Sequence, residues 1–140
     1  MVKYIFLPHT ADAKFQAYGK TLEEAFANAA YAMTDIIVDQ RKVKSKIKEK
    51  IVVKSEDEES LLYDFLEKFL ILLDTKGFIL SKINNLKIKK SGKALTLTAS
   101  LSGDNCKDYQ TKTTIKAVTY QEMFIKKEKN KVIVQVIVDI

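Results

Sequence analysis

The sequence predicts an α+β fold: a largely antiparallel sheet with two main helices packed on one face. Three observations predict it. Two stretches place a capping signature ahead of apolar residues at helical spacing. Several others alternate with period two. The elements run strand, strand, helix, strand, helix, strands.

Val2 to Leu7 is apolar enough for a strand. Ala13 to Tyr18 alternates, with Ala13, Phe15 and Ala17 on one face, and Gly19 ends it. Thr21-Leu22-Glu23-Glu24 is a capping box, in which the threonine hydroxyl takes an orphan N–H and Glu24 reaches back to the cap. Behind it, Leu22, Phe26, Ala29, Ala30, Met33 and Ile37 make the clearest amphipathic helix. Lys42 to Ser55 alternates through Val43, Ile47, Ile51 and Val53, and its lysine-rich other face reads as solvated. Ser55-Glu56-Asp57-Glu58 offers a second capping box. The helix after it is apolar around much of its circumference, which places it near the centre, and Gly77 is its C-cap. Phe78 to Lys89 and Ala94 to Leu101 are two strands joined at Ser91-Gly92-Lys93. Gly103 to Thr113 is the longest polar stretch and reads as a mobile loop. Tyr120 to Lys127 and Lys131 to Val138 form a hairpin with its turn near Lys129-Asn130. The last strand is apolar on both faces and belongs in the middle of a sheet.

At 140 residues the chain suits one domain, 1–140, with a real core. Hydrophobic residues make up 46%, which argues against disorder. No apolar run approaches the roughly 20 residues of a membrane span. Met1-Val2-Lys3-Tyr4 passes directly into a strand pattern without a secretory leader, so a cytoplasmic location is expected. The one cysteine, Cys106, excludes an internal disulfide and a Cys-based zinc cluster, and no basic cluster or helix start marks it as reactive. The formal net charge of +6 permits an acidic or nucleic-acid partner, but a solvated Lys/Glu surface explains it equally. The aromatics follow core and helix faces, which disfavours RNA binding by base stacking.

The two ends carry the candidate chemistry. Pro8-His9-Thr10-Ala11-Asp12 holds the only proline and the only histidine, and the valine-rich last strand stops on Asp139-Ile140. Asp12 reads either as a turn aspartate or as a metal ligand. Asp139 reads either as the point where a strand emerges into water or as its partner. If the two meet, their carboxylates repel, and a shared cation relieves the repulsion. Calcium takes 6–8 oxygens, so an Ile140 carboxylate or carbonyl oxygen could join, and magnesium would keep more water. His9 is a turn residue or orients a carboxylate from behind. Lys116 is a surface lysine or a contact for a phosphate or a partner's acid. Thr119 and Tyr120 supply hydroxyls or simply suit a strand. No phosphate loop, His-Cys pair or Ser-His arrangement is present, which ranks catalysis low.

Taken together, His9-Thr10-Ala11-Asp12, Thr21-Leu22-Glu23-Glu24-Ala25-Phe26, Leu61-Leu62 with Phe65-Leu66, Lys116-Ala117-Val118-Thr119-Tyr120 and Val138-Asp139-Ile140 resemble the archease family over essentially the whole chain. The resemblance implies a non-enzymatic activator of the RtcB-type tRNA-splicing RNA ligase, promoting its guanylylation and multiple turnover. It implies a metal site at Asp12, Asp139 and Ile140, occupied by calcium with magnesium or manganese as alternatives. His9, Lys116, Thr119 and Tyr120 would support that site or the ligase contact, and RNA contact would be indirect or weak. The chain departs from the family at Gln121, where histidine is common, and at Gly103-Asp104, where Gly-Glu is usual. It also lacks the loop histidine that many members carry between Asn105 and Lys112. Two other readings compete: a chaperone or modulator of a tRNA-modifying methyltransferase, and a small metal-dependent phosphodiesterase using His9 and Asp12.

Overall fold

The structure, a computed structural model, describes residues 2–140. Strands β1 (Tyr4–Leu7) and β2 (Asp12–Gly19) precede helix α1 (Leu22–Ile37), strand β3 (Ile47–Ser55) and helix α2 (Glu58–Lys76). Four strands complete the chain: β4 (Phe78–Ser91), β5 (Ala94–Asn105), β6 (Ala117–Glu128) and β7 (Lys131–Asp139). The α+β class and the antiparallel pairing agree with expectation. The single sheet does not: among the described residues there are two, ordered β1-β2-β7-β6 and β3-β5-β4. Alternation within a strand shows which face is buried but not which strand it pairs with, so two sheets facing shared helices give the same pattern as one.

Both helices touch both sheets. Helix α1 packs on β2 and reaches β4, while α2 packs on β3 and β6. Phe26 of α1 and Phe65 of α2 stack at 6.0 Å, both fully buried, and Phe15, Leu97 and Val136 extend the same cluster into the two sheets. Each sheet gives one face to this core, which accounts for the alternation of β2 and β5. Strand β7 lies between β2 and β6. Its Val134, Val136 and Val138 face the helices, and Gln135 and Ile137 are buried on the opposite side, as its apolar character predicts.

The helix ends follow their caps, with two adjustments. Thr21 accepts from the Glu24 N–H at 3.1 Å, but Glu24 takes the N–H of Lys20, one residue before the cap. At α2 the cap is Asp57, not Ser55. Asp57 accepts from Ser60 N–H at 2.7 Å, while the Ser55 hydroxyl donates to Asp64. Aspartate two residues nearer the helix wins because its side chain meets the free N–H directly. Gly77 adopts φ +67° and closes α2, as expected of a left-handed cap. The strand expected from Lys42 begins only at Ile47, after a 3₁₀ turn at Gln40–Lys42.

The polar stretch from Gly103 to Thr113 is tied down rather than loose. Gly103 and Asp104 are buried in β5. The Tyr109 hydroxyl donates to Asp104 at 2.7 Å and accepts from Lys44 N–H at 2.9 Å, and Lys112 N–H donates to the Ile37 carbonyl. Polarity therefore marks hydrogen bonding here, not mobility. The Tyr109 hydroxyl, then the Asn105 N–H, holds the Asp104 carboxyl below its ordinary value of 3.8. A carboxyl depressed on folding stabilises the protein above that value and loses its contribution as pH falls through the lower, folded one. Tyr109→Phe removes both hydrogen bonds. It lowers stability by about 1–3 kcal/mol at neutral pH and flattens the acid-side slope, both measurable by urea unfolding between pH 3 and 7.

Candidate metal centre

Strands β2 and β7 pair antiparallel with Asp12 directly opposite Asp139. Directly opposed residues share a face, with Cβ atoms about 5 Å apart. The β-spacing of each strand thus brings the first acid of β2 and the last acid of β7 to one edge of the sheet. Ala11, in the left-handed region at φ 65°, lies in the turn from β1 into β2. On the far side of β7, Ala117 of β6 also faces Asp139. The Lys116 N–H donates to the Asp139 carbonyl at 2.7 Å.

His9 closes over this edge. Its Nδ1 contacts Asp12 Oδ1, and its Nε2 lies 3.4 Å from Glu122 Oε2. Glu122 also accepts from Lys14 Nζ at 2.9 Å. The Lys14 bond first, then His9, holds the Glu122 carboxyl below its usual range. The His9–Asp12 contact follows from a three-residue spacing already visible in sequence. Glu122 was missed. It sits in a bulge, where β6 takes five steps from Thr119 to Phe124 while β7 takes two from Ile137 to Gln135. Glu122 itself adopts φ 53°, and its carbonyl accepts from the Gln135 side chain at 2.8 Å. No glycine marks the bulge, so the sequence carries no signal for it.

The remaining expected residues are placed as follows. The Lys116 side chain is exposed, and its contribution to the edge is the main-chain bond above. The Thr119 hydroxyl donates to the Ile137 carbonyl at 2.8 Å. Tyr120 turns to α2, where its ring stacks on Tyr63 at 4.3 Å and stays half exposed. Ile140 follows Asp139 directly beyond the last strand residue and is 38% exposed.

The donor chemistry suits a hard cation. Asp12 Oδ1 is taken by His9, whereas Oδ2 has no hydrogen-bond partner among the described residues. Asp139 is exposed beside it. Among the described residues, however, no three His, Cys, Asp or Glu side chains gather into a metal-holding group. Two carboxylates and main-chain oxygen leave an ion that prefers about six or more ligands largely open to outside oxygens. This fits a weakly held divalent cation completed by something other than this chain. It does not fit a closed structural site. Were this edge to hold calcium, His9→Ala should lower the affinity about tenfold or more in a calorimetric titration, with the unfolding midpoint nearly unchanged.

Fold and site together define a small α+β protein that gathers a carboxylate pair at the paired ends of its second and last strands. Within that class, the chain belongs to the archease family. The model described as "Archease protein family (MTH1598/TM1083)" matches residues 4–140. The archease of Methanosarcina barkeri is 40% identical over 140 residues, covering 99% of this chain and 96% of the relative. That of Methanothermobacter thermautotrophicus is 37% identical and covers both chains fully. The solution structure of Methanobacterium thermoautotrophicum protein 1598 superposes with a TM-score of 0.85 at 35% identity, over 99% of each chain. The crystal structure of an archease, possible chaperone, from Thermotoga maritima shares the fold, with a TM-score of 0.60 at 19% identity, over 96% of this chain and 94% of that one. Among the described residues no helix is long and apolar enough to cross a membrane.

Proposed function

We propose that this protein is a non-enzymatic activator of the tRNA-splicing RNA ligase, promoting the ligase's guanylylation and repeated turnover in the cytoplasm. Membership of the archease family supports the reading, and the Asp12–Asp139 register is the observation that carries it. Asp12, Asp139 and Ile140 main-chain oxygen would hold a divalent cation, calcium by its tolerance of irregular oxygen sets, with magnesium or manganese as substitutes. When bound, the ion supplies a concentrated positive charge that attracts phosphate oxygens. The chain's own part is to orient and to hold back. His9 fixes Asp12, Glu122 engages His9, and Lys14 balances Glu122. Asp139 is exposed at this edge, so a partner's active site could meet it. His9, Lys116, Thr119 and Tyr120 would support the site or the ligase contact; the Lys116 side chain and about half of the Tyr120 residue are exposed for it.

The test is turnover with and without ligase. The isolated protein should leave a cyclic-phosphate-ended RNA untouched, and adding it to limiting ligase should turn a single round of ligation into many. Cleavage by the isolated protein would favour a phosphodiesterase instead. A second reading, chaperone or modulator of a tRNA-modifying methyltransferase, draws on the description of the Thermotoga maritima archease as a possible chaperone. Suppression of methyltransferase aggregation without metal would favour it.

A further inference from the structure

We propose that the outward face of the β3-β5-β4 sheet is a binding surface for the sugar-phosphate backbone of double-helical RNA. The pairing builds the face. Lys48 and Lys54 of β3 stand across β5 from Lys82 and Lys89 of β4, while Lys50 stands across from Asn85 and Lys87 across from the exposed Val52. All six are exposed. Between the two lysine rows, β5 presents Thr96, Thr98 and Ser100, and Ser102 at the end of the row is buried and accepts from the Asn84 side chain at 2.6 Å. The strands holding the rows lie two spacings apart, about 10 Å, so the cations line both sides of a hydroxyl floor.

The charge on this face is of one sign. Glu49, the acid within β3, lies on the opposite face and pairs with Lys76 at 3.2 Å. Among the described residues none of the six lysines is ion-paired, although Lys14, Lys76 and Lys127 are. The whole chain has a formal net charge of +6, so these six lysines equal the entire excess and the rest of the molecule balances to zero. Lysines on edge strands also discourage edge-to-edge pairing, but that role does not require every charge on a face to share one sign. A one-signed cationic trough complements a polyphosphate.

The surroundings select the occupant. No aromatic side chain projects from this face, so it lacks the stacking platform that single strands use. Duplex RNA needs none: it is recognised by shape through phosphates and 2′-hydroxyls, which the lysines and the Ser/Thr floor can contact. The inference goes beyond the ligase reading, and its test contains neither ligase nor metal, so either can fail alone.

The experiment is fluorescence anisotropy with a labelled RNA hairpin in EDTA, between 50 and 200 mM salt. Engagement of four to six lysines gives a log–log salt slope of about −4 to −5, a loss of about 10²–10³ in affinity across that range. Lys50→Glu with Lys87→Glu should weaken binding at least about tenfold and make the slope shallower by about 2. Lys20→Glu with Lys129→Glu changes net charge equally elsewhere and should stay within about twofold. Circular dichroism confirms that both variants fold. Equal loss in the two variants, absence of binding at 50 mM salt, or equal affinity for an unstructured RNA, a DNA hairpin or polyglutamate overturns the proposal.

Discussion

On the proposed function, replacing Asp139 with asparagine should cut the stimulation of multiple-turnover RNA ligation about tenfold or more at limiting metal. Asp12→Asn should do the same. Each change keeps the side chain's size but removes one of two opposed charges that, on the proposed function, would draw a cation to the edge of the β1-β2-β7-β6 sheet. Altering groups behind a metal ligand already costs about 10–100-fold in affinity, and removing the charge of a ligand should cost no less. An asparagine still offers an oxygen, so raising calcium about 10–100-fold should restore part of the stimulation. That rescue separates lost metal affinity from a damaged ligase contact. Asp74→Asn, an exposed acid of α2, should change nothing. Full stimulation by both Asp12→Asn and Asp139→Asn would rule out the proposed role.

Gly103→Ala unfolds the protein more readily than any surface change, by about 3 kcal/mol or more, which corresponds to a fall in Tm of about 10 °C. An added Cβ would stand 2.0 Å from the Ile79 carbonyl oxygen and 2.6 Å from the Phe78 ring. Both neighbours belong to β4, and Ile79, Phe78 and Gly103 are all buried, so backbone must move to relieve the clash. The same substitution at Gly92, in the open β4–β5 turn, meets no atom within 4 Å. Its cost is limited to the strain of φ +61°, about 1 kcal/mol. Calorimetric melting of the two variants side by side checks the contrast.

Local features were legible in sequence to the degree that local chemistry decides them. Thr21 and Gly77 marked helix ends because each satisfies backbone groups next to it, alternation showed the buried face of β2, and apolar residues on both faces of β7 showed its central place. Gly103 and Asp104 were misplaced into a loop because polarity alone cannot tell a solvated residue from one hydrogen-bonded by Tyr109. The division into two sheets was hidden because strand pairing is decided between distant segments. The meeting of Asp12 and Asp139 is also a distant pairing, and the sequence could only suggest it, through an apolar strand that ended in an acid. His9 lay three residues from Asp12 and was visible as its neighbour. Glu122 was not, because only the bulge in β6 returns it across the sheet to His9 and Lys14. The lysine-rich face of β3 read as a solvated strand face, and the lysines of β4 carried no signal of their own. Their concentration exists only once β5 lies between them.

The most direct measurement is a manganese titration of the isotope-labelled protein, following paramagnetic broadening of each backbone amide. Manganese takes the same hard oxygen donors and erases nearby signals first. Amides of Ala11 to Ala13 and of Val138 to Ile140 should vanish together at the lowest metal concentrations, and both Asp→Asn variants should require far more metal. Broadening that starts at the acidic entrance to α2, Glu56 to Glu59, while residues 12 and 139 stay sharp would contradict the claim that the two aspartates share one ion.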